Sequence, residues 1–168
     1  MKHTISVLVE NNPGVLSKVS GLFTRRGFNI ESLAVGETED KSVSRMTIIV
    51  DGDDYIVEQI EKQLNKLIST IKVKTLKENT YISRMLMMIK VCAPLSKRGE
   101  IIQIAEMMGA KIDDVSKECI ILEICDTPEK CDNLESLMQH FGIRELVRTG
   151  SIAIEKGDTQ TKQPVNQK

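Results

Sequence analysis

The chain states its structural pattern twice. A strand, a helix, two strands, a helix and a strand can be read in order from the amino terminus, and after the polar stretch Lys77-Glu78-Asn79-Thr80 the same order returns. In the first half Ile5, Val7 and Val9 alternate as a strand. Asn12-Pro13-Gly14 is expected to open a helix, with Asn12 as its cap and Pro13 at its first position. Val15, Leu16, Val19, Leu22 and Phe23 then form one apolar stripe, which Gly27 closes after two arginines. Strands follow over residues 30–37 and 43–50, the latter with Met46, Ile48 and Val50 alternating. Asp53 or Asp54 starts a helix carrying Ile56, Ile60, Leu64 and Leu67, and Ile71 and Val73 supply a closing strand.

The second half repeats this with different residues. Met85, Met87, Ile89 and Val91 alternate; Ile101, Ile102, Ala105 and Met108 form a helical stripe ended by Gly109. Short strands are expected near residues 110–115 and 119–125. Thr127-Pro128-Glu129 caps a helix lined by Leu134, Leu137, Met138 and Phe141 and ended by Gly142. Leu146 and Val147, with Ile152 and Ile154, are read as one last strand. Two tandem βαββαβ units make an α+β chain of ferredoxin-like plan, with domains at residues 1–77 and 78–157 and a disordered tail over 158–168. Units this small bury only about 60% of their unfolded surface and leave sheet edges open, so both favour association with another copy.

Composition narrows the function classes. Without Trp, and with two Tyr, three Phe and two His, the chain cannot build aromatic stacking platforms or histidine-rich metal sites. The net charge is -1, and neither half has the basic excess that nucleic-acid phosphates demand: 11 basic against 11 acidic residues up to Ile82, then 12 against 13. No apolar run is long enough for a membrane span, and no secretory leader pattern is present. Four cysteines without a CxxC are expected as reduced, mostly buried thiols of a cytoplasmic protein. Cys119 and Cys125 are expected on opposite faces of one strand, unsuited to one metal ion.

No nucleotide-binding glycine loop, zinc-protease motif or nucleophile elbow occurs. Asp53-Asp54 and Asp113-Asp114 read as cap and turn carboxylates, and His140 as a residue favoured by its helix's last turn. Met85, Met87 and Met88 read first as core, with an adaptable interface as the alternative. The segment with binding chemistry is Glu10-Asn11-Asn12-Pro13-Gly14-Val15-Leu16, which joins a strand end to a helix N-terminus. Free N–H groups there attract a small carboxylate, Gly14 permits close approach, and Asn11 adds an amide. Ile30, Leu33 or Val35 would meet an apolar side chain. The same segment also reads as a plain helix start.

The stretch VLVENNPGVLSKVSGLFTRRGFNIESLAVGETED, with SRMTIIVDG after it, resembles the regulatory small subunit of acetohydroxyacid synthase, a family with an N-terminal ACT domain. SRMLMMIKV, GAKIDDVSKECIILEICDTPEK and FGIRELVRTGSIAI resemble the same family's C-terminal domain, so the likeness runs to about Gly157. The resemblance implies a non-catalytic chain that dimerises and binds a large subunit carrying thiamine diphosphate, magnesium and FAD, with no cofactor of its own. It further implies activation of that subunit and feedback inhibition by valine or another branched-chain amino acid. Asn11 and Gly14 match the family's effector contacts, and Asn29 matches one that reaches across from the second copy. Val15, Leu16, Ile30, Leu33 and Val35 would complete the effector site. Asn12 departs from the charged residue many members carry there. The alternatives are a freestanding amino-acid sensor controlling another enzyme or transcription, and a small enzyme on the same scaffold.

Overall fold

The computed structural model describes residues 1–158 and 161. The expected tail over 158–168 therefore falls, apart from Asp158 and Thr161, outside the described residues. Two compact units are present: residues 1–82 together with the chain from Ser151 onward, and Ser83–Gly150.

The first unit contains β1 (Lys2–Glu10), α1 (Val15–Arg26), β2 (Ile30–Glu37), β3 (Val43–Asp51), α2 (Asp54–Leu64) and β4 (Thr70–Leu76). Its sheet runs β2-β3-β1-β4 with antiparallel neighbours. That order follows from the chain: each helical connection crosses over an intervening strand, leaving β1 and β3 central. Ile5, Val7, Val9, Met46, Ile48 and Val50 point at the helices and pack on Val15, Val19, Leu22, Phe23, Val57, Ile60 and Leu64, all buried. Of the two candidates Asp53 and Asp54, Asp53 caps α2, accepting from the Ile56 N–H at 2.8 Å.

The sheet's second face is buried as well. Ser6 is fully covered, Thr47 and Leu8 nearly so, and the Thr4 and Tyr81 hydroxyls lie 3.1 Å apart. The C-terminal strand β9 (Ile152–Glu155) belongs here: the Ser151 N–H donates to Ser32 Oγ, Glu155 pairs with Lys74, and the Lys156 N–H donates to the Thr80 carbonyl. Residues 78–82 and 151–157, assigned from sequence to the second half, group with the first unit, where Ser32 and Lys74 contact the returning chain. Gly150, at a φ of 80°, breaks what was expected as a single last strand into two.

The second unit takes in β5 (Tyr81–Cys92) beyond its first two residues, α3 (Arg98–Met108), β6 (Lys111–Val115), β7 (Cys119–Asp126), α4 (Pro128–Gln139) and β8 (Ile143–Arg148). The sheet order is β6-β7-β5-β8, with β9 paired to β5. Met85, Met87, Ile89, Val91, Ile120, Leu122 and Ile124 meet Ile101, Ala105, Leu134 and Met138 in its core. Met85 and Met87 are core residues, whereas Met88 points the other way and is 38% exposed. Thr127 Oγ1 accepts from the Lys130 N–H and Pro128 opens α4. Asp113 and Asp114 lie within β6, at an irregularity in its pairing with β7, rather than in a turn. Of the four thiols only Cys131 is buried; Cys125 is exposed and Cys92 and Cys119 are half-buried. Cys119 and Cys125 share a face of β7, since an even separation restores orientation along a strand; six residues place them about 20 Å apart.

Candidate functional site

The segment between β1 and α1 is built by three local devices. The Asn12 N–H donates to the Glu10 carbonyl at 2.9 Å, a γ-turn centred on Asn11. The Val15 N–H then donates to the Asn12 carbonyl at 3.3 Å, and Gly14 sits at φ 82°, ψ −4°. Those are the third-residue dihedrals of a type II β-turn, with Pro13 in the second position that its ring favours. Gly14, not Asn12, is therefore the helix cap, and it makes no side-chain capping bond. The Asn12 amide donates to Glu10 Oε2 at 3.0 Å instead. Pro13 precedes the helix because a type II turn uses the same φ as a first helical residue.

This geometry leaves the start of α1 open. Gly14 has nothing within 4 Å of where a Cβ would be, and among the described residues the N–H groups of Leu16 and Ser17 have no acceptor. Val15 contributes less than expected: its N–H is taken by Asn12 and its side chain is core. Leu16 and Val35 are each 45% exposed and form apolar surface.

Asn11 is a clamp. Its Nδ2 donates to the Lys41 carbonyl at 2.8 Å and to Glu37 Oε1 at 3.2 Å, and its Oδ1 accepts from Ser44 Oγ at 3.0 Å. Its backbone N–H donates to the Ser42 carbonyl at 2.7 Å. The turn is thereby tied to the loop between β2 and β3. That loop has its own anchor: the Ser42 hydroxyl and amide both donate to Asp40, and they hold the Asp40 carboxyl below its ordinary pKa. Both amide hydrogens of Asn11 are spent, while Oδ1 keeps one lone pair for a further donor. The sequence offered no sign of Glu37, Lys41 or Ser44 as neighbours, because strand register alone brings them together.

Asn29, exposed at the head of β2, is not brought to Asn11, which meets Glu37 at the strand's other end. The separation within one chain is roughly 25 Å, the length of an eight-residue strand. Ile30 and Leu33 are half-buried against the helix-side core. β2 is also an edge. The Thr38 N–H bonds the Val43 carbonyl, and alternation from that pair assigns Ala34 and Gly36 to the β3 ladder. Leu33, Val35 and Glu37 consequently turn their backbone groups to the open side.

Among the described residues no group of three or more His, Cys, Asp or Glu could hold a metal ion, and no helix is long and apolar enough to cross a membrane.

Residues 5–72 match the model of the acetohydroxyacid synthase (AHAS) small subunit-like ACT domain, and residues 84–157 match that of the small subunit of acetolactate synthase. The chain belongs to the acetolactate synthase small-subunit family. A probable acetolactate synthase small subunit of Archaeoglobus fulgidus is 54% identical over 158 residues, covering 94% of this chain and 99% of that one. The acetolactate synthase small subunit of Mycolicibacterium smegmatis is 50% identical over 155 residues, 92% and 91% of the two chains. The crystal structure of the small subunit from Thermotoga maritima superposes with a TM-score of 0.87 at 40% identity, over 95% of this chain and 99% of that one. As a member of this family the chain is a regulatory subunit with an ACT domain, and catalysis belongs to the large subunit.

Proposed function

We propose that this chain dimerises through its ACT domains, raises the activity of a thiamine-diphosphate-dependent large subunit, and makes that activity sensitive to valine or another branched-chain amino acid. The observation that carries the reading is the open N-terminus of α1, whose preceding turn is tied through Asn11 to Glu37 at the end of β2, a strand with an unpaired edge. An antiparallel pairing of two β2 edges hides the free backbone groups of Leu33, Val35 and Glu37. It also brings Asn29 of one copy towards the Asn11 end of the other, which a single chain cannot do.

In such a dimer the amino acid's carboxylate takes the N–H groups of α1, where the helix dipole favours an anion. Its ammonium meets the spare lone pair of Asn11 Oδ1 and the neighbouring Glu37 carboxylate, with Asn29 of the second copy closing the site. Leu16 and Val35 supply the apolar wall, with Ile30 and Leu33 arriving beside Asn29 from the second copy. A wall of this kind separates side chains one methylene apart by only about 10–200-fold, so leucine and isoleucine compete with valine. Inhibition then requires the effector to bind the inhibited assembly more tightly, typically by about 1–3 kcal/mol of coupling. Thiamine diphosphate, magnesium and FAD belong on the large subunit, and the cytoplasm is the compartment that suits four free thiols.

The test is reconstitution with a separately purified large subunit. Stimulated acetolactate formation that valine reverses supports the reading; unchanged large-subunit activity, with no co-elution, overturns it.

A further inference from the structure

Cys92, where β5 ends, and Cys119, where β7 begins, stand directly opposite each other. The neighbouring residues Ala93 and Glu118 make the ladder bond, Ala93 N–H to the Glu118 carbonyl at 2.8 Å. By alternation the cysteines occupy a non-hydrogen-bonded pair, the position where cross-strand Cα atoms come closest, about 4.5 Å. That spacing lies inside the range a disulfide requires. Both thiols are free and half-buried, and they share the face away from the core, since Val91 and Ile120 beside them are fully buried.

The surroundings hold the pair in register. Arg98 staples both strand ends: its Nε donates to the Ala93 carbonyl at 3.0 Å and its terminal nitrogen to the carbonyls of Lys117 and Ser116. Arg144 Nε donates to Cys92 Sγ at 3.0 Å. That hydrogen bond to Cys92 Sγ holds the Arg144 guanidinium in its charged form more firmly than usual. Gly142 leaves room, its absent Cβ lying 3.8 Å from Cys92 Sγ. The regulatory reading of the first turn uses none of these residues.

We propose that Cys92 and Cys119 are a redox modification site that closes to an intrachain disulfide by exchange with a low-molecular-weight disulfide. The Cys92 thiolate attacks one sulfur of the small disulfide, whose S–S bond breaks and releases one thiolate to be protonated by water. Cys119 loses its proton to solvent and attacks the Cys92 sulfur of the mixed disulfide, releasing the second small thiol. Two protein thiols are oxidised and one small disulfide is reduced to two thiols, so the step needs no oxygen and no metal. A spacing of about 4.5 Å sits at the short end of the disulfide range, below its usual 5.5–6 Å, and strain of that kind makes a bond more readily reduced by the same thiol pool. The closed form locks the corner between β5 and α3 that Arg98 spans.

The experiment exposes the full chain to glutathione disulfide, quenches with acid, alkylates, and maps the products by mass. The expected product joins the Cys92 and Cys119 peptides, has lost two hydrogens, and reverts in reduced glutathione. Cys119→Ser should stop at a glutathione adduct on Cys92, and exposed Cys125 should form only an adduct. A stable adduct on Cys92 in the unaltered chain overturns the proposal. So does the absence of a Cys92–Cys119 link under conditions that modify Cys125; wild-type mapping alone decides this if the Ser variant fails to fold.

Discussion

Asn11 satisfies both its amide hydrogens on acceptors, the Glu37 carboxylate and the Lys41 carbonyl. Asn11→Asp would set a third acceptor against them. We expect it to cost about 1–2 kcal/mol, measured from the denaturant midpoint, with Asn11→Ala milder. Gly14→Ala meets no atom within 4 Å, so its cost is backbone strain alone, about 1 kcal/mol. Gly14→Asp adds a carboxylate where a ligand's carboxylate would sit, and should lose effector affinity well beyond the Ala variant at similar stability. Cys131 is buried, and burial pushes its thiol pKa up. Alkylation near pH 8 should therefore modify exposed Cys125 and spare Cys131 until the chain unfolds. At this scale the Thr127 cap was legible, with Pro128 directly after it, and the cap of α2 was narrowed to Asp53 or Asp54. The segment Asn12-Pro13-Gly14 was not, because Asn-Pro-Gly suits both a capped helix start and a type II turn. The partners of Asn11 lie 26 to 33 residues away and no local pattern points to them.

The elements that matter are the β2 edge and the loop that follows it. Alternation from the Thr38–Val43 bond turns the Val35 N–H to the open side, so Val35→Pro removes an edge donor while sparing the β3 ladder. Gel filtration with light scattering should show a dimer for the native chain and a monomer for Val35→Pro. An unchanged dimer would move the interface away from β2. The loop before β3 depends on Asp40, whose carboxyl is held below its ordinary pKa by Ser42. A carboxyl whose pKa is lower folded than unfolded stabilises above its unfolded value, near 3.9, and loses that contribution as pH falls towards the folded one. The Ser42 amide resonance should hold steady at neutral pH and shift only below about pH 4, and Asp40→Asn should abolish that acid transition. Helices and strands were readable from apolar spacing throughout. The β2 edge was expected only as some open edge, because spacing fixes faces and leaves the order of strands to the crossovers.

Across the whole molecule the repeat seen in the sequence becomes two units, each a four-stranded antiparallel sheet backed by two helices, with β9 paired to β5. The halves are not interchangeable: the chain from Ser151 returns to the first unit, where Lys74 and Ser32 receive it. Nothing in the sequence announces this, since Ile152 and Ile154 alternate like any edge strand and their partners are set by tertiary contacts. The scarcity of aromatics and histidines agrees with the proposed effector site, which draws on backbone N–H groups and an asparagine. The proposed regulation depends on the open start of α1 as the effector site. Calorimetric titration of valine into the full chain and into Gly14→Asp tests it most directly. Saturable binding by the native chain should be lost in the variant while its fold is retained; equal binding by both would place the effector elsewhere.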